Sequence, residues 1–245
     1  MASLAKRAKR AVRGVTMAWR HGLIANAPDW ARRRFGPAAG YLDMLLVDHG
    51  LLRFAYLNKH RLAHDAWRSA QPAPHQIRAM ARQGVRTIIN LRGERVCGSY
   101  WWERRACEAA GIRLINFPVG SRAAPTRDEL YRAKELFETV EYPIVMHCKS
   151  GADRAGLMSV LYRHMREGWP IEDAIKELSL KYGHIRQADT GVLDRVFERY
   201  LRDSSETPMT FFEWVDTVYD PDEVKATFRA HGMANRLVNS VLRRE

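Results

Sequence analysis

The chain has 245 residues, 46% hydrophobic, 28% charged and 10% aromatic. At about 150 residues per domain this is one large domain or one domain with extensions, and the composition excludes a collagen-like, low-complexity or wholly disordered chain. The net charge of +12 is unevenly spread: residues 1–35 hold nine Lys/Arg against one acid, Asp29, so the body is only mildly basic.

The N-terminal arm, Ala2–Arg20, sets Leu4, Val12, Val15, Met17 and Trp19 among six basic residues. It reads either as an amphipathic helix on an anionic membrane surface or as a solvated basic stretch. No zinc, RNA-binding or basic-zipper motif accompanies the charge, so no nucleic-acid partner is expected. Arginines interrupt every apolar stretch near the N-terminus, which predicts no cleavable signal. The longest charge-free run, Ser69–Ile77, falls far below the roughly 18 apolar residues of a membrane span. Residues 41–57 read as a buried helix or helix pair.

From Ala66 the pattern changes. Val85–Leu91 reads as a strand, Trp101–Ala110 as a helix ended by Gly111, and Ile112–Val119 as a strand. Thr126–Val140 reads as a helix opened by a capping box of Thr126 and Glu129. Tyr142–His147 is a short buried strand. Arg154–Glu167, Ile171–Lys181 and Gly191–Leu201 are helical by period. Strands alternating with helices predict an α/β domain with a mainly parallel central sheet flanked by helices, carrying helical N- and C-terminal extensions. The expected division is 1–65 for the basic arm and helical extension, 66–204 for the catalytic domain and 205–245 for the C-terminal extension.

Three irregularly spaced cysteines do not make a disulfide scaffold and point to a reducing, cytoplasmic compartment, with peripheral membrane contact through the arm as the added expectation. Cys148 stands out. In His147–Gly156 (HCKSGADRAG) a strand runs into a short loop and then a helix. Loop N–H groups and a helix N-terminus that converge on one point make an anion site. Gly151 supplies a backbone conformation that a side chain resists. Cys148 lies under that positive field, and the thiolate is the nucleophilic form. Arg154, six residues on, can grip two phosphate oxygens at once. Cys107 and Arg113 share the spacing, but Cys107 lies late in a helix and reads as a packed thiol. Cys97, with Glu103 at the same distance, gets the same reading.

The segment His147–Arg154 resembles the His-Cys-x5-Arg signature of the cysteine-dependent protein tyrosine and dual-specificity phosphatases. Trp67–Pro72 (WRSAQP) and Val85–Glu94 (VRTIINLRGE) are similar to the first and second strands of small bacterial and fungal atypical members. The likeness covers roughly Ala66–Leu201. It implies that Cys148 attacks phosphorus and forms a phosphocysteine. It implies that Lys149, Ser150, Gly151, Ala152, Asp153 and Arg154 bind the phosphate, and that His147 orients the loop. No cofactor and no metal is implied.

Two departures qualify the resemblance. The family usually places Ser or Thr after the arginine, where a hydroxyl eases breakdown of the phosphoenzyme; here stands Ala155. The family also carries a general-acid Asp on an earlier loop, whereas Phe117–Ala123 holds no acid. Asp128 and Glu129 follow, read as first-turn helix charges. Asp153 is the other candidate, either as proton donor or as an ion pair that shapes the loop. Certain bacterial phosphatases with an Asp before the arginine act on phosphoinositides as well as phosphoproteins, and Lys149 resembles the extra charge of inositol-lipid phosphatases. Arg92 and Arg122 are candidates to line the mouth. His184, Arg186, Gln187 and Asp189 lie on a loop that can reach it, with Asp189 or Thr190 as an alternative N-cap. Trp101 and Trp102 form either a substrate shelf or core.

The expected activity is phosphomonoester hydrolysis on a phosphorylated protein. The alternatives are a phosphoinositide or inositol phosphate substrate, and a phosphate-binding module that turns over poorly. A sulfur-transfer loop would lack the arginine, and arsenate reduction needs resolving cysteines that Cys97 and Cys107 do not obviously offer.

Overall fold

The computed structural model describes residues 41, 56–95 and 97–228. The arm and most of the helix expected at 41–57 lie outside them. Five strands form one sheet in the order β1-β2-β5-β3-β4: β1 (His60–Arg61), β2 (Ala66–Ala70), β3 (Thr87–Asn90), β4 (Arg113–Asn116) and β5 (Ile144–Cys148). β2, β5, β3 and β4 are mutually parallel, and β1 runs antiparallel to β2. The expected mainly parallel α/β sheet is therefore present.

Helices cover both faces, as parallel strands require. α1 (Pro74–Arg82) and α2 (Gly98–Ala110) cover one, packing Ile77, Met80, Ala106 and Cys107 on Ile88 and Val145. The other face carries α3 (Arg127–Thr139), α4 (Asp153–Met165), the single turn α5 (Ile171–Ala174), α6 (Val192–Glu206) and α7 (Phe211–Thr217). Phe211, Trp214 and Tyr219 join the same apolar core as Ile144, Met146 and Leu157. The C-terminal segment thus buries its aromatics against the sheet domain. α4 is buried continuously from Ala155 to Tyr162, the all-round apolar pattern of a central helix.

Alternation along the strands positions the site. In β5, Ile144, Met146 and Cys148 face the α4 side, while Val145 faces the α2 side; the period of two sends His147 there too. In β2, Arg68 pairs in register with Met146 and Ala70 with Cys148.

Most element boundaries match expectation. Gly111 ends α2 in the left-handed conformation (φ 66°). The Thr126–Glu129 box opens α3, with the Glu129 N–H donating to Thr126 Oγ1 at 3.1 Å. The helix expected over Ile171–Lys181 is broken: after α5 come a 3-10 turn, Ile175–Glu177, and a second, Leu180–Tyr182, closed by Gly183 at φ 83°. The reason is a tertiary bond. The Glu177 carbonyl accepts from Arg68 Nη1 at 2.6 Å and so is diverted from continuing the helix. Asp189 and Thr190 do not cap α6; they form a 3-10 turn, and Gly191 holds the cap position.

Candidate active site

The last residue of β5 is Cys148 and the first of α4 is Asp153, so the loop between them, Lys149–Ala152, spans a strand end and a helix start. Cys148 is 2% exposed, at the floor of this loop. Gly151 sits at φ +77°. A Cβ there would lie 2.7 Å from Ala70 N and from Ser69 C, inside the backbone of β2. Only glycine fits both the conformation and the approach.

Three consecutive loop carbonyls accept hydrogen bonds from two buried side chains. Asn58 Nδ2 donates to the Ser150 oxygen at 2.9 Å. Arg68 Nη2 donates to the oxygens of Gly151 and Ala152 at 2.8 and 2.9 Å. Arg68 is fully buried; its Nη1 also meets Glu177 Oε2 at 3.1 Å, and its guanidinium stacks 4.0 Å from the Tyr182 ring. Burial lowers the Arg68 pKa, and the Glu177 carboxylate opposes this.

Behind the cysteine, on the α2 side, lies a second buried group. His147 Nε2 is 2.5 Å from Glu103 Oε1, both side chains fully buried. Gln71 Nε2 donates to Glu103 Oε2 at 2.7 Å, and Arg92 Nη1 donates to Gln71 Oε1. The other ring nitrogen, Nδ1, faces the Cys148 carbonyl at 3.3 Å. The backing of the cysteine thus runs through α2 to the loop after β3.

Arg154 is half-buried in the first turn of α4, with Nη1 3.5 Å from the Leu91 carbonyl. Burial lowers its pKa; the Cys148 sulfur opposes that, while Arg92 and Arg95 push further down. The Leu91 contact sets Arg154 against the segment after β3 that carries Arg92 and Arg95, where Arg95 Nε donates to the Arg92 carbonyl at 3.2 Å. Lys149 is half-buried and Ser150 exposed on the loop.

Asp153 Oδ1 lies 2.8 Å from His184 Nδ1, and His184 Nε2 lies 2.7 Å from Asp194 Oδ2. The loop carrying His184 does reach the site, through this imidazole. Of its other candidates, Arg186 pairs with Glu198, and Asp189 lies 4.0 Å from the exposed Arg122. Glu129 belongs to the α3 cap, and Asp128 faces Arg132 at 3.5 Å. Cys107 is 1% exposed, its thiol pKa pushed up by burial and then by Glu103. Cys97 is buried at the start of α2. Trp101 and Trp102 pack edge to face at 4.8 Å, half-buried on α2.

Sequence reasoning assigned no role to Asn58, Gln71, Glu103, Glu177 or Asp194, nor to Arg68 within its motif. Signals existed for two. Arg68 is the one charged residue of β2, whose Ala66, Ser69 and Ala70 are small and buried, and Glu103 falls on the same α2 stripe as Tyr100, Ala106 and Cys107.

A cysteine at a strand end, a glycine-bent loop above it and an arginine in the next helical turn make up the architecture of the cysteine-dependent tyrosine and dual-specificity phosphatases. A family model described as a DSP-PTPase phosphatase fused to NAD+ kinase matches residues 56–193, and the chain belongs to this family. It is 25% identical over 123 residues to the dual specificity protein phosphatase TpbA of Pseudomonas aeruginosa strain UCBPP-PA14, which covers 50% of this chain and 53% of that protein. The chain thus spans about half the length of this curated relative. It is also 26% identical over 95 residues to a probable chloroplastic NAD kinase 2 of Oryza sativa subsp. japonica, covering 38% of this chain and 10% of that protein. A crystal structure of P. aeruginosa TpbA aligns at 19% identity and a TM-score of 0.47, over 71% of this chain and 92% of that one.

Proposed function

We propose that the protein hydrolyses phosphomonoesters by the protein tyrosine/dual-specificity phosphatase route, through a phosphocysteine on Cys148. The observation that carries this is Cys148 at the end of β5, followed by a loop whose Ser150, Gly151 and Ala152 carbonyls are all held by Asn58 and Arg68, with Arg154 in the first turn of the next helix. Loop amides would bind the equatorial phosphate oxygens, and the Arg154 guanidinium would neutralise charge as it shifts in the transition state. The thiolate attacks phosphorus and the P–O bond to the leaving group breaks, its electrons leaving on that oxygen, which takes up a proton. Water then cleaves the S–P bond, releasing phosphate and restoring the thiolate. His147, backed by Glu103, would orient the loop without touching substrate.

Asp153 is the acid that the loop itself offers. Its contact with His184 serves the loop in the free protein. As a proton donor it would have to carry a proton once the substrate's charge enters. Asp153→Asn separates the roles: loss of one ionisation from the pH–rate profile supports donation, and an unchanged profile leaves the loop contact as its role.

A phosphorylated protein is the substrate we favour, in line with the dual specificity relative. A phosphoinositide or inositol phosphate is the second reading, favoured by Arg92 and Arg95 beside Arg154. An anionic membrane surface at residues 1–35 would accompany it; among the described residues no helix is long and apolar enough to cross a membrane. Flotation of the full chain with anionic but not neutral vesicles tests that contact.

The deciding experiment is hydrolysis of an aryl phosphate without added metal, inhibited by vanadate and absent in Cys148→Ser. Vanadate binding with turnover no higher than in Cys148→Ser would instead make the protein a phosphate-binding module.

A further inference from the structure

We infer that Arg68 is a positioning residue for catalysis: from the far side of the phosphate loop, its guanidinium sets the direction in which the loop's amides point. The inference rests on the phosphatase reading and adds to it a residue outside the signature segment.

The argument starts from the peptide unit. In a planar trans peptide the C=O and the following N–H point in opposite directions. The Gly151 carbonyl is therefore opposed to the Ala152 N–H, and the Ala152 carbonyl to the Asp153 N–H. Arg68 Nη2 binds both carbonyls, at 2.8 and 2.9 Å. Holding them to one side turns the two amides to the other; the Ala152 carbonyl also accepts from the Gly156 N–H of α4 at 2.9 Å, so Arg68 reinforces that unit and acts most on the Gly151 one. Asn58 does the same for one further unit, through the Ser150 carbonyl, which is opposed to the Gly151 N–H.

The guanidinium is suited to this task. It is planar, carries five donors in a rigid fork and stays charged when buried. One edge serves the loop while Nη1 serves the Glu177 carbonyl and carboxylate, at 2.6 and 3.1 Å. Tyr182 packs on the face of the group. Arg163 Nε in turn holds Glu177 Oε1 at 3.2 Å, so the counterion is itself fixed from α4. The space is closed as well: a Cβ on Gly156 would lie 2.7 Å from Leu178 Cδ2 and 3.3 Å from Arg68 Nη2. A lysine at 68 would bring one point charge in place of a fork, and could not hold two loop carbonyls and Glu177 in this geometry.

A buried Arg–Glu pair could instead serve stability alone, and the test separates the two roles. Vanadate affinity and the kcat and KM for an aryl phosphate are measured on full-length wild type, Arg68→Lys and Phe137→Leu, at a temperature where circular dichroism shows each folded. Phe137→Leu is a core substitution in α3 that lowers stability without touching the loop. Arg68→Lys is expected to weaken vanadate binding and lower kcat/KM at least about tenfold, since each lost oxyanion donor costs about 100-fold or more. Phe137→Leu is expected to stay within about threefold of wild type. If Arg68→Lys does not fold, the double variant Arg68→Met/Glu177→Met replaces the ion pair with apolar groups and is read by the same criteria. A folded Arg68 variant with wild-type vanadate affinity and kcat/KM overturns the assignment, as does an equal loss in Phe137→Leu. Wild type that neither binds vanadate nor hydrolyses the ester removes the phosphatase reading, and this inference with it.

Discussion

His184 Nδ1 meets Asp153 Oδ1 at 2.8 Å, and this contact ties the segment after Gly183 to the first residue of α4. The ring is 1% exposed, and its other nitrogen meets Asp194. Burial alone would lower the His184 pKa; the hydrogen bonds and charges of Asp153 and Asp194 outweigh it and raise the value from 6.5 to about 9. The pKa is higher folded than unfolded, so the stabilisation is fully present below pH 6.5 and is lost as pH rises through about 9. A shift of this size corresponds to roughly 3 kcal/mol. The thermal midpoint of the wild type is expected to fall between pH 6.5 and 9, and that of His184→Gln to start lower and stay flatter. Parallel pH curves for the two proteins would show that the imidazolium contributes no such linkage.

Cys148→Ser is expected to abolish turnover of an aryl phosphate while leaving the fold intact, because the side chain lies at the end of β5 and fills similar space. Arg154→Lys keeps the charge but loses the planar fork, and kcat/KM is expected to fall about 100- to 1000-fold. Steady-state kinetics with circular dichroism checks both, and a Cys148→Ser protein with substantial activity would exclude the covalent route.

The sheet and the strand–loop–helix order around Cys148 are readable in the sequence because each rests on local chemistry. β5, its loop and α4 follow one another directly, and the bend is written in Gly151. The Thr126–Glu129 cap and the Gly111 stop are local in the same way. What escaped is long-range. Arg68 meets Glu177 across 109 positions of chain and Asn58 meets Ser150 across 92. No periodicity records such a pairing. The same bond explains the misread helix over Ile171–Lys181, since a tertiary donor took a carbonyl the helix needed. The sequence puts His184 on the loop before the last core helix, but its partner Asp153 on α4 is visible only in three dimensions.

Gly151→Ala and Gly84→Ala form a matched pair. Both glycines have positive φ, +77° and +84°, but a Cβ at Gly84 meets nothing within 4 Å, whereas at Gly151 it meets β2 backbone at 2.7 Å. Gly84→Ala is expected to cost about 1 kcal/mol, with kinetics unchanged. Gly151→Ala is expected to cost about 1–3 kcal/mol and to weaken vanadate binding as the loop shifts off β2. Urea denaturation and vanadate titration measure the two quantities, and equal effects at both positions would mean the contact with β2 does not shape the bowl.

Ala155 stands where related phosphatases place a hydroxyl residue, and it is fully buried against the core at the first turn of α4. With no hydroxyl there to assist the leaving thiolate, breakdown of the phosphocysteine is expected to limit turnover. Rapid mixing with an aryl phosphate should then show a burst of released phenol followed by a slow steady state. Ala155→Ser restores one donor. A hydrogen bond of about 1 kcal/mol made in the second transition state would raise its rate roughly fivefold. The burst should shrink relative to the steady state while kcat/KM, which reports the first step, stays near its wild-type value. Without a burst in the wild type, or with kcat and kcat/KM rising together in Ala155→Ser, the limiting step lies at formation of the phosphocysteine, and the missing hydroxyl is not what slows the enzyme.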